Sequence, residues 1–214
     1  MIPLANVLCA ARSSNYQAIP GVEIYDKNRD ALSCRSSRPI IAHPPCRFWS
    51  AWNHTAQAEV STMIGELLLG VFCVRKILAN GGVLEHPRLS RLFRATGIPT
   101  PKDQVPWRGF TLEIDQRWFG LPFSKKTWIW IYGVPRCQVP PIQLNFTLER
   151  FGTSAEVNPG PRSRTPINLA RWLFEVALLC QPASRLVAEL PPGRTPDSPW
   201  QDWHFTPQAQ SAAA

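Results

Sequence analysis

Apolar residues in this chain follow two spacings. Five short runs, 5–9, 22–26, 39–43, 82–85 and 128–132, are apolar almost throughout, the pattern of strands covered on both faces. Between them lie stretches in which apolar residues recur every three or four positions. The longest, about 56–79, carries Val60, Met63, Ile64, Leu67, Leu68, Val71, Phe72 and Leu78, which predicts an amphipathic helix packed on the sheet. Asn53 or Thr55 stands where an N-cap is needed, and Asn80-Gly81 stops the helix. Leu89, Leu92 and Phe93 predict a second helix over 88–96. Leu169, Leu173, Val176, Ala177 and Cys180 predict a third over 166–180, with Thr165 as its N-cap and Pro166 as its first residue. Strand–helix–strand alternation predicts an α/β fold with a mostly parallel sheet covered by helices.

Two segments, 98–123 and 134–165, are rich in proline and show neither period. The first is expected to form an irregular lobe or lid. With about 191–214 read as a flexible tail, residues 1–190 make one domain.

Composition narrows the class. Of 214 residues 44% are hydrophobic, sufficient for a substantial core. The apolar-rich stretch 60–79 is interrupted by Glu66, Arg75 and Lys76, so no membrane span is expected. The N-terminus lacks the charged and then apolar pattern of a signal peptide. Six cysteines at 9, 34, 46, 73, 137 and 180 form no Cys-x-x-Cys pair. This suits reduced thiols in a cytoplasm, that of a host cell if the chain is phage-encoded. Lys and Arg number 23 against 15 Asp and Glu, a net charge of +8, and nine tryptophans accompany them. A basic, aromatic-rich chain points to DNA or a nucleotide as partner.

The chemistry centres on Pro39-Ile40-Ile41-Ala42-His43-Pro44-Pro45-Cys46. Each proline fixes φ near −65° and restricts its predecessor. The pair therefore holds Cys46 at the carboxyl end of a strand, where ligands bind in open α/β sheets. A buried structural cysteine is the plain alternative. Gly81-Gly82-Val83-Leu84-Glu85-His86-Pro87 ends a helix and makes a short strand with a carboxylate at its end. Ser124-Lys125-Lys126-Thr127-Trp128 leads a basic pair into another strand, and Arg162 to Leu173 opens the last helix. His43-x-x-Cys46 also has tolerable metal-ligand spacing with His54 and His86, but no second paired motif follows. No metal is expected.

In order and content these segments resemble the cytosine-5 DNA methyltransferases, and more closely small phage and prophage proteins that look like trimmed members of that group. Pro45-Cys46-Arg47-Phe48-Trp49-Ser50 is similar to the family's Pro-Cys-Gln-x-Phe-Ser nucleophile segment, departing from it at Arg47. Glu85-His86-Pro87 occupies the place of Glu-Asn-Val. Lys126 keeps the charge of an arginine in Gln-x-Arg-x-Arg, and Arg162 to Leu173 resembles Arg-x-Leu-Thr-Pro-Arg-Glu-x-Ala-Arg-Leu. The likeness spans about residues 4–180. It implies a Rossmann-like methyltransferase-type sheet and a pyrimidine-modifying enzyme acting at the ring 5-position of DNA or a nucleotide. It makes Cys46 and Glu85 catalytic and assigns His43, Pro45, Arg47, Ser50, Lys126, Arg164 and Thr165 to the substrate.

The family binds S-adenosylmethionine over a glycine-rich first turn. Here Ala5-Asn6-Val7-Leu8-Cys9 runs into 10–16 with no glycine. Tyr25 and Asp26, at the end of the next strand, are the candidate cofactor contacts, since an acid there can bind a ribose hydroxyl. Only 27–38 then separates Asp26 from the Cys46 strand, where the family has another strand and helix. The donor half is expected to be reduced, leaving S-adenosylmethionine or another small donor open. A catalytically silent relative that binds nucleic acid or a host protein is the alternative function. For catalysis, the Cys46 thiol must become a thiolate, with His43, Arg47 or a following helix N-terminus as electropositive help. Glu85 would drain charge from the ring, if protonated or sharing a proton with ring nitrogen 3. A base within duplex DNA would first have to be flipped out.

Overall fold

A computed structural model describes residues 2–11, 14–26, 28–50, 58–103, 109–146 and 164–182. Among them six strands form one sheet: β1 (Ala5–Leu8), β2 (Val22–Tyr25), β3 (Ile40–Ala42), β4 (Gly82–Pro87), β5 (Phe110–Asp115) and β6 (Lys126–Tyr132). Their order across the sheet is β2-β1-β3-β4-β6-β5. The first four strands run parallel, while β6 is antiparallel to both β4 and β5. The molecule is thus a mixed α/β protein with a mostly parallel sheet, as the alternation of runs predicts.

Helices cover both faces. α1 (Val60–Asn80) and α2 (Arg91–Thr96) lie on one side, α3 (Ile167–Leu179) on the other. β6 shows why its sequence reads apolar throughout. Trp128, Trp130 and Tyr132 pack toward α1 and α2, and Ile129 and Ile131 pack toward α3. Period-two alternation is hidden when both faces are buried. Gly82 opens β4 at φ 141°, and a Cβ there would strike the Ile40 carbonyl of β3. The tight junction between β3, which leads to Cys46, and β4, which carries Glu85, therefore requires glycine.

Four expectations are corrected. Segment 98–123 is no irregular insertion, because it contains β5, the edge strand paired with β6. Its pattern is masked by an exposed Glu113 and by the prolines before it. α1 does not bury its whole apolar stripe: Val60, Ile64 and Leu68 are 65%, 49% and 63% exposed. A 21-residue helix is about 31 Å long, whereas the six residues of β4 span about 20 Å. The first turns of α1 overhang the strands, and its buried residues begin at Gly70. Pro166, not Thr165, is the cap of α3, which begins at Ile167. The third helix otherwise matches its expected span, but the second starts later, at Arg91 behind the Ser90 cap. Asn53, Thr55, His54, Arg162 and the tail 191–214 lie outside the described residues. Among the described residues no helix is long and apolar enough to cross a membrane.

Candidate functional site

The carboxyl ends of the parallel strands meet the amino end of β6, and there the polar side chains gather. β3 ends at Ala42; His43 N continues its ladder to the Leu8 carbonyl at 3.0 Å. Pro44-Pro45 then turn the chain outward, and Cys46 emerges exposed to solvent. A tight turn follows, in which Trp49 N and Ser50 N both donate to the Cys46 carbonyl, at 3.1 and 2.8 Å. Its far end is pinned twice. Arg91 N donates to the Trp49 carbonyl at 2.8 Å, and the Trp49 indole lies so close over Gly70 of α1 that a Cβ would come within 2.6 Å of it. Cys46 is thus an exposed residue on a braced turn rather than a member of the core.

Glu85 sits inside β4, paired on one side with β6, and is 8% exposed. Its Oε2 receives His43 Nδ1 at 3.0 Å, and its Oε1 receives Gln116 Nε2 at 2.9 Å. Gln116 Nε2 also donates to Thr127 Oγ1 at 3.1 Å, while Gln116 Oε1 is buried without a partner. Lys125 Nζ stands 3.9 Å from Glu85 Oε1. Tyr16, buried in the 3-10 turn Asn15–Ala18, places its hydroxyl 2.9 Å from His43 Nε2. Burial alone would raise the Glu85 pKa, but the Lys125 charge, the His43 hydrogen bond and the neighbouring histidines outweigh it and bring it to about 2. Glu85 is therefore a carboxylate, not the protonated acid that the resemblance allowed.

The thiol is tuned the other way. Partial enclosure raises the Cys46 pKa above the usual thiol range, and the Glu85 charge raises it further; Lys125 and a backbone hydrogen bond oppose them. The charges of Glu85 and Lys125 thus both act on the Cys46 thiol, with opposite sign. His86, the neighbour of Glu85 on the strand, faces the other way and is fully buried. Burial drives its pKa down to about 4 against the pull of Glu85 and of the Pro45 and Pro44 carbonyls. Neither ring nitrogen finds a partner at hydrogen-bonding geometry.

Other expected site residues stand apart from this cluster. Arg47 turns away to pair with Glu66 of α1 and to lie over the Phe48 ring, 5.2 Å from its centroid. Lys126 pairs with Asp115 at 3.3 Å, so that Lys125, its neighbour, is the cation at Glu85. Strand pleat decides this: Lys126 belongs to β6, opposite Asp115, and Lys125 precedes it on the loop. Asp115 builds that loop by accepting from Ser124 Oγ at 2.7 Å, Lys125 N at 3.0 Å and Arg117 N at 3.1 Å. Pro45 and Ser50 are partly buried members of the Cys46 turn. Arg164 and Thr165 line a separate cavity of about 450 Å³ with Asn15, Phe123 and Asn168. Asn15 Nδ2 donates to the Thr165 carbonyl at 2.7 Å, one residue from Tyr16. Neither Cys46 nor Glu85 lines it. Sequence reasoning missed Tyr16, Gln116, Thr127 and Lys125; the one available signal was the Lys-Lys pair ahead of an apolar strand.

The expected donor contacts are engaged elsewhere. Asp26 Oδ1 accepts from Asn28 N at 2.7 Å and Arg29 N at 3.1 Å, closing its own turn. Tyr25 is buried under the Arg29 guanidinium, 4.4 Å above its ring. The turn after β1 is led by Cys9 at φ 61°, a left-handed conformation that ordinarily favours glycine. Its thiol lies 3.7 Å from that of Cys73 in α1. A side chain thus fills the turn where glycine lets a backbone approach a ligand closely. These residues do not fit S-adenosylmethionine. Among the described residues no group of three or more His, Cys, Asp or Glu side chains could hold a metal ion. Comparison with protein-family models, with curated proteins and with solved structures finds no match to this chain.

Proposed function

We propose that the chain modifies a cytosine-type pyrimidine at its ring 5-position through a covalent adduct on Cys46, in the manner of the cytosine-5 DNA methyltransferases it resembles. The observation that carries this reading is an exposed cysteine just beyond the carboxyl end of β3 and a buried carboxylate in the last half of the neighbouring parallel strand β4, with the Lys125 charge acting on both. The strand order lends support. A doubly wound sheet is ordered 3-2-1-4-5-6; without its strand 3 it begins 2-1-4-5, the pattern of β2-β1-β3-β4. This suits a methyltransferase-type sheet whose donor half has lost a strand.

The chemistry follows from the charges. Lys125 favours the Cys46 thiolate, which adds to ring carbon 6. The carbon 5–carbon 6 π bond breaks, and its electron pair passes through carbon 5 and carbon 4 toward ring nitrogen 3, which takes up a proton from solvent in place of the one the thiol released to it. Carbon 5 then becomes the nucleophilic end of an enamine. Glu85, as a carboxylate, only accepts hydrogen bonds. It therefore suits the exocyclic amino group of cytosine and opposes the 4-oxo group of uracil or thymine. No step is routed through S-adenosylmethionine.

A donor-free experiment tests this reading. In D2O the enamine takes a solvent deuteron at carbon 5; loss of the original proton and expulsion of the thiolate return the ring labelled. Cytosine-containing oligodeoxynucleotide and dCMP should gain one deuterium by mass spectrometry with the native chain and none with Cys46→Ala. Absence of exchange in both substrates, or equal exchange in the variant, would refute the assignment. The second reading, a catalytically silent DNA-binding relative, is favoured by the engagement of Asp26 and Tyr25. It requires salt-sensitive DNA binding that Cys46→Ala leaves intact.

A further inference from the structure

Glu85 is the middle of a longer chain of directional contacts. Tyr16 hydroxyl meets His43 Nε2 at 2.9 Å, and His43 Nδ1 meets Glu85 Oε2 at 3.0 Å. Glu85 Oε1 meets Gln116 Nε2 at 2.9 Å, and Gln116 in turn meets Thr127 Oγ1 at 3.1 Å. All of these residues except His43 are buried, and His43 is only partly exposed. The tautomer follows from the partners. A carboxylate only accepts, so His43 Nδ1 carries the hydrogen. Burial, aided by the Glu85 charge, keeps the Tyr16 phenol protonated by raising its pKa well above the usual range. In a neutral imidazole the phenol therefore donates to Nε2.

One consequence is negative. Three residues from the thiol, His43 has the spacing of a general base for Cys46, but both of its nitrogens are occupied. The site is not a cysteine–histidine–glutamate triad.

The positive consequence is a division of labour around Glu85. We propose that Tyr16 is a positioning residue of this site, acting through His43: its hydroxyl fixes the imidazole edge that holds Glu85 in the plane where it meets the substrate ring. The role rests on the pyrimidine reading given above. Tyr16 is well placed for it. Its turn is capped by Ser14, whose Oγ accepts Tyr16 N at 3.3 Å, and the adjacent Asn15 ties the turn to the start of α3. The Tyr16 and His43 rings also touch, with centroids 5.3 Å apart. The rigid α3 face is thereby connected to the carboxylate through one phenol and one imidazole.

A structural tyrosine and a positioning tyrosine give different results in a double-mutant cycle. Tyr16→Phe keeps the ring and removes only the hydroxyl. His43→Asn places an amide nitrogen near the position of Nδ1, keeping a donor for Glu85 while removing the acceptor for Tyr16. In the deuterium-exchange assay Tyr16→Phe should lower kcat by about tenfold, equivalent to ~1.4 kcal/mol of barrier, with KM unchanged. In the His43→Asn background the same substitution should have no further effect. A tenfold loss that persists in that background, or a loss confined to KM, would overturn the proposal. A proton NMR experiment separates this outcome from failure of the pyrimidine reading. The His43 Nδ1 proton, hydrogen-bonded to a carboxylate, should give a slowly exchanging downfield signal in the native chain, absent in His43→Gln and broadened in Tyr16→Phe. If no pyrimidine exchanges but this pattern holds, the chemistry is wrong and the positioning chain stands. If the signal is as sharp in Tyr16→Phe as in the native chain, the positioning chain is wrong.

Discussion

Lowering the pH from 7 to 4 should destabilise this protein through one buried side chain, His86. In the unfolded chain its pKa is near 6.5; in the fold burial brings it to about 4. The groups facing it divide: the Glu85 charge and the Pro44 and Pro45 carbonyls favour the cation, while His43 disfavours it. Because the folded form gives up the proton more readily, the stabilisation is complete above about pH 6.5 and is lost as pH falls through 4. The linkage relation with these two values gives a loss of about 3 kcal/mol between pH 7 and pH 4. Glu85 acts in a lower window, from its usual 4.5 down to about 2, and removes only ~0.8 kcal/mol over the same interval. The comparison is native chain against His86→Leu, by urea unfolding followed through tryptophan fluorescence at both pH values. With m of roughly 2–3 kcal/mol per M, the native midpoint should fall by about 1 M more than that of the variant. Comparing the falls cancels the titrating groups that are not coupled to His86 and any fixed cost of the substitution. Equal falls in the two proteins would refute the reasoning.

Two further predictions concern the cluster. Glu85→Gln should speed alkylation of Cys46 by iodoacetamide at pH 7.5, because a charge that raises the thiol pKa is gone, and Lys125→Met should slow it; peptide mass spectrometry reads both rates. Asp115→Ala should cost roughly 2–3 kcal/mol in urea unfolding, since Ser124 Oγ, Lys125 N and Arg117 N lose their acceptor. Because those contacts seat Lys125, the same variant should also slow Cys46 alkylation.

How much of this was legible beforehand follows from which signals are local. Strands 22–25, 40–42 and 82–87 lie almost where apolar runs predict them, and α3 lies where the three-and-four spacing does. The position of Cys46 was also legible, because two prolines act on their own backbone whatever surrounds them. β5 was hidden by prolines that sit before the strand rather than in it. α1 was over-read, since periodicity reports an apolar face without reporting how far the sheet extends beneath it.

What the chain alone determined is therefore most of the elements, the α/β class, and the placing of one thiol and one carboxylate on neighbouring strand segments. These depend on backbone restriction and on side-chain period, both carried by neighbouring residues. What only the tertiary structure decided is the partnership around Glu85. Tyr16, His43, Gln116, Lys125 and Thr127 come from different parts of the chain, and no spacing along it joins them. They meet because β6 inserts antiparallel beside β4, bringing its amino end to the carboxyl ends of the parallel strands. The charge state of that carboxylate, and with it the kind of ring edge it can meet, is a property of this meeting and of no local segment.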